Sequence, residues 1–94
     1  MQHPVTVMKK PIAIQAIEWT GDNLDAVVAF TGGNFRAVAA GDRVSPEMTA
    51  EVYDHLHCRW IPLRTRDFVM RGIKGEFYPC ERAVYDETYA EVAA

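Results

Sequence analysis

The stretch His55-Leu56-His57-Cys58 holds the residue types that come closest to metal chemistry in this chain. On a strand, His55 and His57 would project from one face, a spacing that can chelate a divalent ion. Cys58 would point the other way, leaving two ligands where a structural zinc site wants four. Tyr53 would share the histidine face, opposite Val52 and Leu56, which suits the solvent side of a half-buried strand. No metal and no cofactor are expected. Cys80 is the next candidate, because Pro79-Cys80-Glu81 reads as the opening of a helix, where a thiol pKa can fall. No oxyanion motif or orienting base accompanies it, so a packed thiol is the expectation. Asp67 and Glu76 flank a predicted hairpin and could converge as acid and base. It is simpler for Asp67 to cap a turn and for Glu76 to pair with Arg71 or Lys74. Gly72-x-x-Gly75 is too short for a phosphate loop. No catalytic residue is assigned, and a non-enzymatic protein is expected.

Recognition is the better-supported chemistry. Trp60, Phe68, Phe77, Tyr78, Tyr85 and Tyr89 crowd into thirty residues, together with most of the arginines. The net charge of −3 conceals a division: residues 1–58 carry −3, residues 59–82 carry +3, and residues 83–94 carry −3. So local a basic band argues against general nucleic-acid binding, which needs a strongly basic face. It leaves room for an acidic protein patch or one small anionic ligand. Aromatics beside arginine dominate interface hot spots, and the same pair could stack on and neutralise a nucleotide. The candidate partner- or ligand-binding residues are therefore Trp60, Arg64, Arg66, Arg71, Lys74 and Tyr78.

The elements that must position these residues follow from pattern. At 94 residues the chain supports one core. Its apolar runs fall far short of the ~20 residues that span a bilayer, and no signal-peptide pattern is visible, so a cytosolic protein is expected. Two cysteines in such a compartment predict free thiols. Residues 1–10 read as a flexible tail and residues 11–92 as a single domain. Pro11–Trp19 predicts a strand whose apolar parity switches, implying a bulge near Ala16 or burial on both faces. Asp22 is expected to cap a helix carrying Leu24, Val27, Val28 and Thr31 on one stripe, closed by Gly32-Gly33. A short strand at 34–39 and a loop at 40–48 follow. Three strand-like runs then form a meander (50–56, 59–63, 67–71), before a turn at 72–75 and a strand at 76–78. A helix from Pro79 to about Thr88 closes the chain, with Val84/Thr88 and Tyr85/Tyr89 as i,i+4 pairs. The order predicts an α+β domain: a curved, mostly antiparallel sheet packed by an N-terminal and a C-terminal helix.

The segment Asp67-Phe68-Val69-Met70-Arg71-Gly72-Ile73-Lys74-Gly75-Glu76-Phe77-Tyr78-Pro79-Cys80 carries a resemblance. It is similar to a family of small proteins of tailed phages and prophages, actinobacterial ones among them. Their pattern runs Gly-Asp-aromatic-aliphatic-aliphatic-x-Gly-x-x-Gly-Glu-Phe-Tyr-Pro-Cys and continues into a helix ending in Thr-Tyr. Thr88-Tyr89, Trp19-Thr20-Gly21-Asp22-Asn23 and Gly32-Gly33-Asn34-Phe35 extend the likeness over residues 8–92. Arg66 departs from it, standing where the pattern has glycine. The resemblance implies action in a host cytoplasm, by binding and modulating a host protein during infection (host takeover or counter-defence). The alternatives are sequestration of a small anionic nucleotide signal in a basic and aromatic pocket, and a minor role in the virion or its assembly. The last hairpin is expected to leave an edge strand, so homodimerisation by edge pairing is also expected.

Overall fold

The computed structural model describes residues 3–92, so the first two residues of the expected tail lie outside the described residues. Residues 3–14 contain no helix or strand, and Val5, Val7, Met8 and Ile12 are exposed along them. The elements that follow are β1 (Gln15–Glu18), α1 (Leu24–Phe30), β2 (Phe35–Ala37), a 3₁₀ turn (Ala40–Asp42), β3 (Met48–Asp54), β4 (Arg59–Arg64), β5 (Phe68–Arg71), β6 (Phe77–Cys80) and α2 (Arg82–Thr88). This is the α+β domain of antiparallel strands and two helices that the pattern predicts. The strands divide between two sheets, ordered β1-β5-β6 and β2-β3-β4.

The inner faces of these sheets supply the core. Trp19, Val27, Phe35, Ala50, Val52, Leu63 and Val69 are buried together, with Ile17, Val28, Phe30, Ile61 and Phe77 packed against them. Trp19 meets Phe35 edge-on at 5.1 Å, and Phe30 meets Phe77 at 5.7 Å, so aromatic pairs tie α1 and both sheets into one core. The indole Nε1 of Trp19 donates to Thr49 Oγ1 at 2.9 Å, which satisfies the one polar atom this residue brings inside. Thr49 lies where the β3–β4 register shifts, a bulge between Met48 and Ala50.

Several local expectations need correction. β1 runs in unbroken register from Gln15↔Arg71 to Glu18↔Phe68, so it has no bulge. Its parity switch reflects two covered faces, Ile17 toward the core and Ala16 toward α2's side. Asn23, not Asp22, occupies the N-cap of α1, and it makes no capping bond. Its side chain ties down the preceding turn instead: Oδ1 accepts from Thr20 N–H at 2.9 Å, and Nδ2 donates to the Glu18 carbonyl at 2.7 Å. Gly32 and Gly33, with φ of 62° and 92°, do end α1 as the sequence implies.

Pro79 and Cys80 belong to β6, and α2 begins only at Arg82. Proline fits there because β6 is an edge strand, where a residue can turn its nitrogen away from the ladder. α2 lies on the outer face of the β1-β5-β6 sheet, with the Tyr85 ring stacked on Phe68 at 3.6 Å. Phe77 and Tyr78 point to opposite faces of β6, one into the core and one toward α2.

Candidate functional site

In β3 and β4 the buried residues are Ala50, Val52 and Leu63, so their neighbours in sequence face outward. Registers Tyr53↔Trp60, Glu51↔Pro62 and Arg36↔Glu51 place Arg36, Glu51, Tyr53, Trp60 and Pro62 on one outer face. Arg64 continues the stripe by strand parity. Here the guanidinium of Arg36 lies over the Trp60 indole, its Cζ 4.0 Å from the ring centre. Its Nε and Nη2 both donate to Glu51 Oε1, at 2.9 and 2.8 Å. Tyr53 contacts Trp60 edge-on at 5.3 Å and His55 at 4.7 Å, and His55 Nε2 lies 3.1 Å from Asn34 Oδ1. The result is a half-exposed tryptophan held between a tyrosine and an arginine whose own position is fixed by a carboxylate.

An exposed cation–π contact is worth about 0.5–1 kcal/mol, and an exposed ion pair less than about 1 kcal/mol. Neither contributes much to stability. Both reduce the side-chain freedom that a binding partner would otherwise have to freeze, at about 0.5–1.5 kcal/mol per side chain.

The six residues proposed from sequence do not converge. Trp60 and Arg64 lie on this face. Arg66 sits in the turn between β4 and β5, where Nη1 reaches Glu18 Oε2 at 3.7 Å. Arg71 ends β5 beside Gln15 (3.5 Å), and Lys74 lies in the β5–β6 turn. The strand between Arg66 and Arg71 separates them by about 16 Å at ~3.3 Å per residue, so the basic band splits between opposite ends of β5. Tyr78 pairs with Met70, beside Arg71, and its side chain lies in a groove of about 610 Å³ with Lys9, Ile12, Ile73 and Tyr89. Burial, and then the neighbouring Tyr89 hydroxyl, push the Tyr78 phenol up to about 12.

A second groove, of about 840 Å³, runs between residues 11–18 and α2. Arg82 borders it, but Nη1 and Nε are engaged by Glu18 (2.7 Å) and Asp86 (3.2 Å). None of Arg64, Arg66, Arg71 or Lys74 lines either groove. A pocket collecting the basic band, as nucleotide sequestration requires, is not formed by these two grooves.

The β3–β4 turn, expected at His57-Cys58, takes in His55 and Leu56 as well, so the two histidines do not share a strand face. Asp54 organises this turn. Its Oδ1 accepts from Leu56 and His57 N–H at 2.9 and 3.3 Å, and Oδ2 lies 2.6 Å from His57 Nδ1. The hydrogen bond from His57 is the largest influence holding the Asp54 carboxyl below its ordinary range. Leu56 is consequently 81% exposed, where a continued strand would place it inward. Among the described residues no group of three or more His, Cys, Asp or Glu is placed to hold a metal.

Burial pushes the Cys80 thiol up, with Asp67 and Glu81 adding to the effect, the reverse of what a nucleophile needs. Asp67 and Glu76 do not converge: Glu76 Oε2 accepts from Lys74 N–H at 3.1 Å in its own turn, while Asp67 is buried elsewhere. Comparison with known proteins returned no matching family model, no similar curated sequence and no similar solved structure.

Sequence reasoning missed Arg36 and Tyr53. Both were legible in part, since Phe35-Arg36-Ala37 and Val52-Tyr53-Asp54 alternate inward and outward once Phe35 and Val52 are taken as core. What the sequence could not supply was the β2-β3-β4 order that stacks Arg36 on Trp60, with Glu51 on the strand between.

Proposed function

We propose that this chain is a non-enzymatic protein-binding module whose contact surface is the outer face of β2-β3-β4. The observation that carries this is the Arg36 guanidinium lying over a half-exposed Trp60 beside Tyr53. Tryptophan, tyrosine and arginine are the residues most enriched at interface hot spots, and here they are adjacent and restrained. Arg64 and Glu51 give the patch a charged rim, which would steer encounter with a partner of complementary charge. The sequence resemblance to small phage proteins supports a setting, namely a host cell during infection, with a host protein as partner. It favours an accessory role, in which binding alters the activity of that protein.

The test is affinity capture from host lysate with the wild-type chain and with Trp60→Ala and Arg36→Ala in parallel. The expected result is a host protein retained by the wild type and lost, or weakened at least tenfold, in both variants while their circular dichroism is unchanged. Identical capture by all three chains would sink the assignment of the surface. Retention of nothing by the wild type would sink the reading as a whole.

A further inference from the structure

In an antiparallel pair, residues alternate between those whose N–H and C=O face the partner strand and those whose groups face away. Three bonds set the phase here. Gly72 N–H donates to the Glu76 carbonyl (2.8 Å), Trp19 N–H to that of Asp67 (2.9 Å), and Tyr53 N–H to that of Asn34 (2.8 Å). Counting from these, Phe77 and Pro79 face away on β6, and Trp60, Pro62 and Arg64 face away on β4. Each of these edges therefore carries a proline, which has no N–H to offer, at an outward position. On β4 the outward Arg64 N–H is also occupied, donating to Asp67 Oδ2 at 2.9 Å. The third edge strand, β2, has only three residues.

β1 is the exception. Its outward residues are Ala16 and Glu18, with Ile14 continuing the parity, and no proline stands among them. The Glu18 carbonyl is taken by Asn23, but the outward groups of Ala16 and the N–H of Glu18 have no such partner among the described residues. This edge borders the 840 Å³ groove, which is lined by Ile12, Ile14, Ala16, Phe68, Tyr85 and Tyr89. Because Ala16 pairs with Met70 and Glu18 with Phe68, even-numbered side chains of the segment lie on the groove side of the sheet. Ile12 is 54% exposed there. Charge is arranged to match: Lys9 and Lys10 precede the segment, while Glu18 and Glu91 line the groove.

We propose that a second copy of this chain pairs antiparallel along β1 about a two-fold axis. The segment is its own complement. With Ala16 opposite Ile14 and Glu18 opposite Ile12 of the second copy, Ala16 and Ile14 exchange both of their outward bonds and the Glu18 N–H donates to the Ile12 carbonyl, while the Ile12 N–H stays on the Lys10 carbonyl (2.8 Å) and the Glu18 carbonyl on Asn23. Each copy's Ile12 and Ile14 then enter the groove side of the other, and each Lys10 comes diagonally within reach of the other's Glu18. The sheets join as β6-β5-β1-β1-β5-β6, and the Arg36–Trp60 faces stay free, so the dimer presents two of them. The edge that pairs is β1, not the last hairpin expected from sequence, whose outer rim Pro79 blunts.

The test combines sedimentation equilibrium with concentration-dependent amide exchange of the intact chain. Twice the chain mass of 10.6 kDa is expected, with Ala16 and Glu18 amides that slow as concentration rises. Ala16→Pro, which copies what β4 and β6 already carry, is expected to be monomeric with unchanged circular dichroism. A wild-type monomer at millimolar concentration would overturn the proposal. So would a dimer whose Ala16 and Glu18 amides stay fast, a folded Ala16→Pro chain that still dimerises, or amides that slow only when an unrelated extended peptide is added. Should the proline variant misfold, the wild-type exchange pattern decides alone.

Discussion

The carboxylate of Asp67 accepts the backbone N–H of Arg82 at 3.1 Å through Oδ1 while its Oδ2 holds Arg64. A residue in the β4–β5 turn thus caps α2 from fifteen positions away, a bond that the N-cap residue Glu81 does not make through its own side chain. A helix of seven residues cannot sustain itself in water, so this cap and the Tyr85–Phe68 stack must hold it.

Asp67→Ala is expected to lower unfolding free energy by about 2–3 kcal/mol, since two hydrogen bonds to a buried carboxylate are lost. Urea denaturation measures the loss, and α2 amides should lose exchange protection before the core does. A change below about 0.5 kcal/mol would mean that water replaces the carboxylate without penalty.

Arg66 adopts φ 84°, the left-handed region, at the third position of the turn closed by Asp67 N–H to the Arg64 carbonyl. That position of a type II turn selects glycine. A non-glycine residue there costs about 1–2 kcal/mol, against roughly 0.5–1 kcal/mol of extra unfolded-state entropy for glycine. Arg66→Gly should therefore stabilise by about 0.5–1 kcal/mol, the exposed contact to Glu18 counting for little. Thermal unfolding checks the sign. A lower melting temperature would show that the side chain of Arg66 contributes more than its backbone costs.

Tyr78 has its phenol pushed from 10.0 up to about 12, first by burial and then by Tyr89. A raised acid is held neutral by the fold, so its contribution is complete below pH 10 and is lost as pH rises from 10 towards about 12. Ultraviolet titration of phenolate should show Tyr78 last, with Tyr85, which burial also raises, later than an ordinary tyrosine. Tyr89→Phe should bring Tyr78 down without returning it to the ordinary value, because burial is the larger cause. Uniform titration of all four tyrosines would remove Tyr78 from the groove.

Legibility followed the range of the interactions. Alternation and glycine placement revealed β1, α1 and the meander because those signals are local. Arg66 carries a conformation that glycine would favour, which an arginine does not announce in sequence. Helix α2 was read too early because Pro79 looks like a helix opener, and its true role depends on lying at a sheet edge. The run at 50–56 reads two residues too long because nothing in His55-Leu56 signals a turn, while the connection expected at His57-Cys58 does form, with Cys58 at a positive φ of 52° without being glycine. The basic band looked unified in sequence and is divided by β5 in space. Pairings such as Arg36 with Trp60, 24 positions apart, belong to the topology.

The two indoles sit on opposite sides of the β2-β3-β4 sheet, Trp19 sealed at 3% exposure and Trp60 half open under Arg36. The molecule therefore carries two separate optical gauges. Blue-shifted emission from Trp19 reports whether the core is intact, while a quencher in solvent reaches Trp60 alone. Folding and occupancy of the outer face can thus be followed in one cuvette, without a label.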